Sequence, residues 1–279
     1  MWANKAWVGS FFPEGARQKE FLSLYSRRLN TVEGNTTFYA TPAPETVDRW
    51  YNETPPGFKF CLKFPQAISH NKRLRAAEAE TGAFVDCLIA LADRCGPSFL
   101  QLPPTFGVRQ LPALAAYLAA LPPLPGGLAV EVRHRDFFDE AAEADLHALL
   151  REHGAARVLY DQRGLRSAAP LDEGTRVAQA RKPDVPVRFD RTAPFAFVRY
   201  ISHPDLPSNG PLFDEWASHT AAWLAAGDDV FFFCHHKQDY YAPALAREFH
   251  ARVARLHPLP PLPDWDAADP PVMTQGSLF

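Results

Sequence analysis

Charged, amide and imidazole side chains fall at the C-terminal ends of a series of short β-branched or aromatic runs. They are Glu33 with Asn35, Lys63, Gln101, Glu131 with Arg133 and His134, Asp161, Arg199, and His235 with His236. An apolar strand that ends in charge is costly unless the charge is solvated or paired, so these ends are expected to share one polar mouth. In LAVEVRH, Glu131 and Arg133 are two residues apart and share one face of a strand, with Val130 and Val132 on the other. Both can then meet one ligand, or simply satisfy each other. Glu33 and Glu131 are the acid/base candidates, and Asp161 is a third carboxylate of the same kind; their separation is not written in the sequence. Lys63, His70, Arg133 and Arg199 together would attract an anion, the guanidinium groups forking onto phosphate or carboxylate, unless each Arg pairs with a neighbouring acid. Adjacent strand residues point to opposite faces, so at most one of His235 and His236 faces inward. The aromatic pairs Phe11–Phe12 and Phe38–Tyr39 either stack on a base or sugar or pack in the core.

Several chemistries lack their signatures. No H-x-H or H-E-x-x-H spacing converges on a metal, and no P-loop, G-x-G-x-x-G or G-x-S-x-G elbow occurs, so no metal is expected and no motif names a cofactor. The four cysteines, Cys61, Cys87, Cys95 and Cys234, are scattered without a C-x-x-C pair, which fits a reducing compartment. A net charge of −3 argues against a surface that coats a polyanion, while leaving room for a local basic mouth. Prolines and charges interrupt every apolar run before membrane-spanning length, and no signal peptide is seen, so the expected location is the cytoplasm.

The elements that must position these residues alternate along the chain. Strands are expected over 30–33, 59–64, 98–101, 128–133, 156–160, 195–201 and 229–235. Helices are expected over 16–28, 44–53, 76–91, 111–121, 141–153, 212–226 and 241–256. Such alternation in 279 residues predicts an α/β fold of the TIM (β/α)8 type in one domain, residues 1–256. Seven strands are visible, so the first of the eight is expected to be missing or truncated at the N-terminus, upstream of Met1. The connection 162–194 shows no clear periodicity and carries Arg163, Arg166, Arg176, Arg181, Lys182, Arg188 and Arg191 at the end where barrel active-site loops lie. From 257 the chain reads as a Pro-rich, semi-extended tail.

At VEGNTTFYATP, PPGFKFCLKFPQAISH, LQLPPTF, AVEVRH, FVRYISHP and FFFCHH the chain resembles the YecE family, the bacterial domain of unknown function 72. The resemblance implies a TIM barrel with a shared pocket of unassigned chemistry. Positions matching the family's polar motifs are Glu33, Asn35, Thr36, Tyr39, Lys63, His70, Gln101, Glu131, Arg133, Asp161 and Arg199. Many members carry an Asn/Asp-rich motif where this chain has CHHKQDYYAPA, so no role for Asn or Asp carries over there.

The expected function is an enzyme acting on a phosphate-bearing or otherwise anionic small molecule or on nucleic acid. The alternatives are a sugar or sugar-phosphate isomerase, lyase or hydrolase, and a non-catalytic ligand-binding adaptor. The last five residues, Gln275-Gly276-Ser277-Leu278-Phe279, resemble the peptide with which bacterial DNA-processing proteins dock on the sliding clamp, with Gly276 departing from its aliphatic second position. Gln275 would bond at the groove edge while Leu278 and Phe279 fill its floor. Burying those two side chains is worth roughly 3–6 kcal/mol before association costs, so a peptide of residues 273–279 should bind only in the micromolar range or more weakly. In a fluorescence titration Phe279→Ala should abolish binding and Gly276→Leu should tighten it; a wild-type peptide that never saturates, with no rescue by Gly276→Leu, makes the terminus merely a tail.

Overall fold

The computed structural model describes residues 2–265; the clamp-like residues Gln275, Leu278 and Phe279 lie outside them. Among the described residues there are seven strands: β1 (Thr31–Gly34), β2 (Lys59–Leu62), β3 (Ser98–Gln101), β4 (Leu128–Glu131), β5 (Ala156–Asp161), β6 (Phe195–Ile201) and β7 (Asp229–His235). β1 and β2 form a parallel pair, and β3 to β7 form a parallel five-stranded sheet in sequential order. Two isolated bridges, Phe60 to Cys95 and Lys63 to Phe99, carry the pairing from β2 to β3.

A parallel neighbour needs a crossover, and helices supply it. α1 (Phe21–Ser26) precedes β1. α2 (Pro44–Glu53), α3 (Glu78–Ala90), α4 (Leu111–Ala120) and α5 (Glu140–Glu152) follow β1 to β4 in turn. α6 (Arg163–Ser167) and α7 (Glu173–Arg181) follow β5, α8 (Gly210–Ala225) follows β6, and α9 (Ala242–Ala254) follows β7. In α8 a proline in the first turn presets φ, and Phe213, Trp216, Ala217, Thr220 and Trp223 recur at helical spacing on the buried face.

The sheet curls around a layered interior. Cys61, Phe99, Ala129, Val158, Phe197 and Phe233 form one buried cluster. Two residues further along the same strands come Lys63, Gln101, Glu131, Tyr160, Arg199 and His235, so the period-two alternation of a strand stacks a polar layer on an apolar one. Arg199 on β6 and His235 on β7 both reach Glu33 on β1, which brings the far sides of the curl together.

Two stretches depart from the sequence expectation, and a third settles an alternative that the sequence leaves open. In place of one helix over 16–28 there is a 3-10 turn, Gln18–Glu20, followed by the short α1; Glu20 turns back to accept from the Arg17 backbone and guanidinium. Phe11 and Phe12 are core residues, not a stacking platform: they are fully buried against Trp7, Phe21 and Tyr25, and the Trp7 indole donates to the Asp239 and Tyr240 carbonyls beyond β7. The connection 162–194 contains α6 and α7, which sequence periodicity did not reveal. The Pro-rich stretch runs along the domain as far as Trp265, whose buried indole meets Phe11 edge-on and lies 3.5 Å from the Arg247 guanidinium carbon.

Candidate functional site

Four charged side chains of the polar layer form one network. The Arg199 guanidinium forks onto Glu33, Nε to Oε2 at 2.7 Å and Nη2 to Oε1 at 2.8 Å, and its remaining nitrogen donates to Glu131 Oε2 at 2.6 Å. Arg133 Nε donates to Glu131 Oε1 at 2.5 Å. Glu33 also accepts from Asn35 at 2.8 Å and lies 3.1 Å from His235 Nε2. Glu33, Glu131 and Arg199 are all buried. Burial alone would raise Glu131, but the Arg133 and Arg199 charges outweigh it and hold the carboxyl at about 2. Glu33 is held well below the usual carboxylate range against the same penalty by Arg199 and His235.

Around this network lie polar groups without such partners. Lys63 Nζ, at the end of β2, makes no hydrogen bond or ion pair among the described residues and rests 3.7 Å above the Phe38 ring. Burial first, then the Arg199 charge, push it down to about 8, with Glu131 pulling the other way. Lys182, half-buried just beyond α7, is pushed down to about 8 by burial first and then by the Arg199 and Arg133 charges. The Tyr160 hydroxyl is buried without a hydrogen-bond partner, and the buried Gln101 amide makes none among the described residues. Unsatisfied buried polar groups are uncommon enough in folded proteins to require a reason.

The other sequence candidates divide clearly. His70 stands beside the mouth, its ring edge-on to Phe38 at 5.0 Å and its Nδ1 2.8 Å from Ser69 Oγ; burial and the Lys63 charge lower it to about 4. Tyr39 is 75% exposed, next to a groove of about 320 Å³ against α3, and Thr36 is exposed with no side-chain bond. It is Thr37 that ties β1 to β2, its hydroxyl donating to the Lys63 carbonyl at 2.7 Å. Asp161 lies on the opposite face of β5 from Tyr160. There it accepts from the Arg163 backbone and guanidinium and from the Trp216 indole on α8 at 2.7 Å, so it anchors a helix and lies away from the mouth. His235 is the inward histidine; His236 bonds to the Gln238 backbone and the Pro204 carbonyl.

Most of the basic residues of the connection are also accounted for locally. Arg163 pairs with Asp161 and Glu215, Arg176 with Glu173, Arg188 with Glu143 and Arg191 with Asp228. Val185 packs with Tyr160 and Ile201, so the segment roofs that side of the mouth. A Cβ on Gly164 would come 2.6 Å from the His203 nitrogen, so only glycine lets α6 lie this close to the β6 exit. Two contacts strap the segment down: the partly buried Lys237 Nζ to Asp172 Oδ2 at 2.6 Å, and the exposed Arg135 Nε to the Asp184 carbonyl at 2.9 Å.

With this arrangement in view, comparison with known proteins is decisive. Residues 1–267 match the model of a protein family described as "Protein of unknown function DUF72". The chain belongs to the DUF72 family. The chain is 39% identical over 259 residues to the UPF0759 protein YecE of Escherichia coli K12, covering 92% of each chain, and 38% identical to its counterpart in E. coli O157:H7 over the same share. Two crystal structures of a DUF72 family protein from Enterococcus faecalis V583 are similar in fold. One superposes with a TM-score of 0.63 at 17% identity, covering 86% of this chain and 88% of that one; the other gives 0.62 at 17%, covering 84% and 92%. These relatives support the α/β architecture and name no substrate. Among the described residues no helix is long and apolar enough to cross a membrane, and no group of three or more His, Cys, Asp or Glu side chains is arranged to hold a metal ion.

Proposed function

We propose that this DUF72 protein is an enzyme that binds a small anionic molecule, a carboxylate or phosphate, at the C-terminal mouth of a (β/α)8-type barrel. The barrel reading rests on the contacts of Arg199 and His235 with Glu33 across the curl, and on the Trp7 segment bonded to the chain beyond β7. The observation that carries the functional reading is the charge balance of the mouth. Glu33 and Glu131 are both taken up by Arg199, with Arg133 on the second, which leaves Lys63 and Lys182 without an ion-pair partner among the described residues. Two surplus cations beside a buried network call for a bound anion, and the Tyr160 hydroxyl and Gln101 amide, unpartnered among the described residues, would bond its neutral oxygens. The burial of these groups favours a small molecule over nucleic acid, whose phosphates would need an exposed basic track.

In this reading Glu33 and Glu131 are fixed counter-charges that orient Arg199 and Arg133. A carboxyl held near 2 is a poor base at neutral pH, whereas an amine near 8 can give or take a proton there. Lys63 takes the role expected of the two glutamates.

Thermal unfolding in phosphate, sulfate and small carboxylates tests the site. An anion at about 100 times its Kd adds about 2.7 kcal/mol to stability, so the melting temperature should climb with concentration. Lys182→Ala, on the roof, should weaken that climb without disturbing the Arg199 network. A melting temperature indifferent to every anion, or a climb unchanged in Lys182→Ala, removes the reading.

A further inference from the structure

We propose that Lys63 is an amine nucleophile that forms an imine with the carbonyl carbon of a small anionic oxo compound. This rests on the anion-binding reading and adds the chemistry of the ligand to it. An amine used only as a counter-ion needs its charge; one used as a nucleophile needs a free lone pair, a fixed position and neighbours that oppose protonation. Lys63 meets these requirements. It is buried at the end of β2 and touches no carboxylate, and its stem is steadied because Nζ lies 3.7 Å above the Phe38 ring. That ring face favours the ammonium, but burial and the Arg199 and Arg133 charges act more strongly against it, and Glu131 is already shared between those two arginines. Arg133, bonded to Glu131 in the same network, could hold an anionic substituent, so one ligand can be anchored by its charge while its carbonyl meets Nζ.

The step balances without a co-reactant. The Nζ lone pair bonds to the carbonyl carbon as the C=O π pair moves onto oxygen, and the proton lost by nitrogen passes to that oxygen to give a carbinolamine. His70, edge-on to the same Phe38 ring and held neutral, is a suitable carrier for that proton. The hydroxyl then leaves with the remaining nitrogen proton as water, and the nitrogen lone pair closes the C=N bond.

The test is reductive trapping on the intact protein with cyanoborohydride, using glyoxylate, glycolaldehyde phosphate and neutral formaldehyde as probes, followed by peptide mapping of every lysine. Lys5, Lys19, Lys59, Lys72, Lys182 and Lys237 serve as internal controls in the same molecule. Lys63 should be labelled roughly tenfold faster than the exposed lysines by the anionic aldehydes, a preference that formaldehyde should not reproduce. The carboxylate and phosphate probes show which anion the site prefers, and Lys63→Arg should lose the fast adduct while keeping labelling elsewhere. The inference is overturned if Lys63 reacts no faster than Lys5 or Lys19, if Lys182 takes the label in its place, or if the anionic probes show no advantage over formaldehyde. Slow labelling in a protein that anions still stabilise removes the imine and leaves the anion site standing; a protein indifferent to anions removes both.

Discussion

Arg199→Met is expected to destabilise the protein by about 3–5 kcal/mol at neutral pH, because it strips the shared cation from two buried carboxylates and leaves their charges undercompensated. The loss should depend on pH in a defined direction. Glu131 is depressed in the folded state, from 4.5 to about 2, and Glu33 moves the same way. Such groups contribute stability that is fully present above the unfolded value and lost as pH falls through the folded one. The gap between wild type and variant, measured by chemical denaturation, should therefore be widest near neutrality and narrow from about pH 4.5 to about pH 2. A cost below about 1 kcal/mol, or one that does not change with pH, would show that the network is no more than a surface-like pairing.

Lys63→Met should do the reverse. A buried ammonium without a carboxylate partner costs the folded state, and a shift from 10.5 to about 8 corresponds to a penalty of about 3 kcal/mol. The sign follows from linkage: with the folded value depressed, the penalty is in force below about pH 8, where both states are protonated, and disappears as pH rises to 10.5. Methionine, one atom shorter than lysine, keeps most of the apolar stem and removes the charge. The variant should unfold later than wild type at pH 7, by up to about 3 kcal/mol, with the advantage fading toward pH 10, and should lose most of its stabilisation by anions. A Lys63→Met protein that is less stable than wild type at pH 7 would mean that the lysine is structural. Opposite signs for two residues of one layer would separate the scaffold of the site from its working group.

The strands were legible because each is a short β-branched or aromatic run between helical patterns. β3, β6 and β7 begin and end where the sequence places them, and β4 loses only Val132 and Arg133 at its end. The polar mouth was legible as well, since Glu33, Lys63, Gln101, Glu131, Arg199 and His235 are the strand-end residues the sequence singles out. What escaped was parity and the roof. Asp161 and Tyr160 are neighbours, and only the register of β5 on β6, Tyr160 against Arg199, shows that the tyrosine faces inward and the aspartate faces α8. The signal was available in part: each inward polar residue stands two places after a small or apolar residue of one layer, and Val158 with Tyr160 fits that rule while Asp161 does not. α6 has five residues, and α7 buries Thr175 alone, so neither carries an apolar stripe to betray it. Lys182 reaches the mouth from that stretch, and no strand-end rule could have pointed to it.

Of the two straps on the 162–194 segment, Arg135–Asp184 lies in solvent and Lys237–Asp172 is partly shielded, with Lys237 17% and Asp172 41% exposed, whereas the pairs of Arg199 are almost wholly shielded. Exposed pairs are weak and are screened within a Debye length of about 8 Å at physiological ionic strength; buried ones hardly sense the salt at all. The roof and the network beneath it therefore answer to different properties of the solution. Added salt should weaken the Arg135–Asp184 strap more than the charges inside, while acid should neutralise the two glutamates. Anion binding at the proposed mouth is then expected to vary with ionic strength through its cover and with pH through its network.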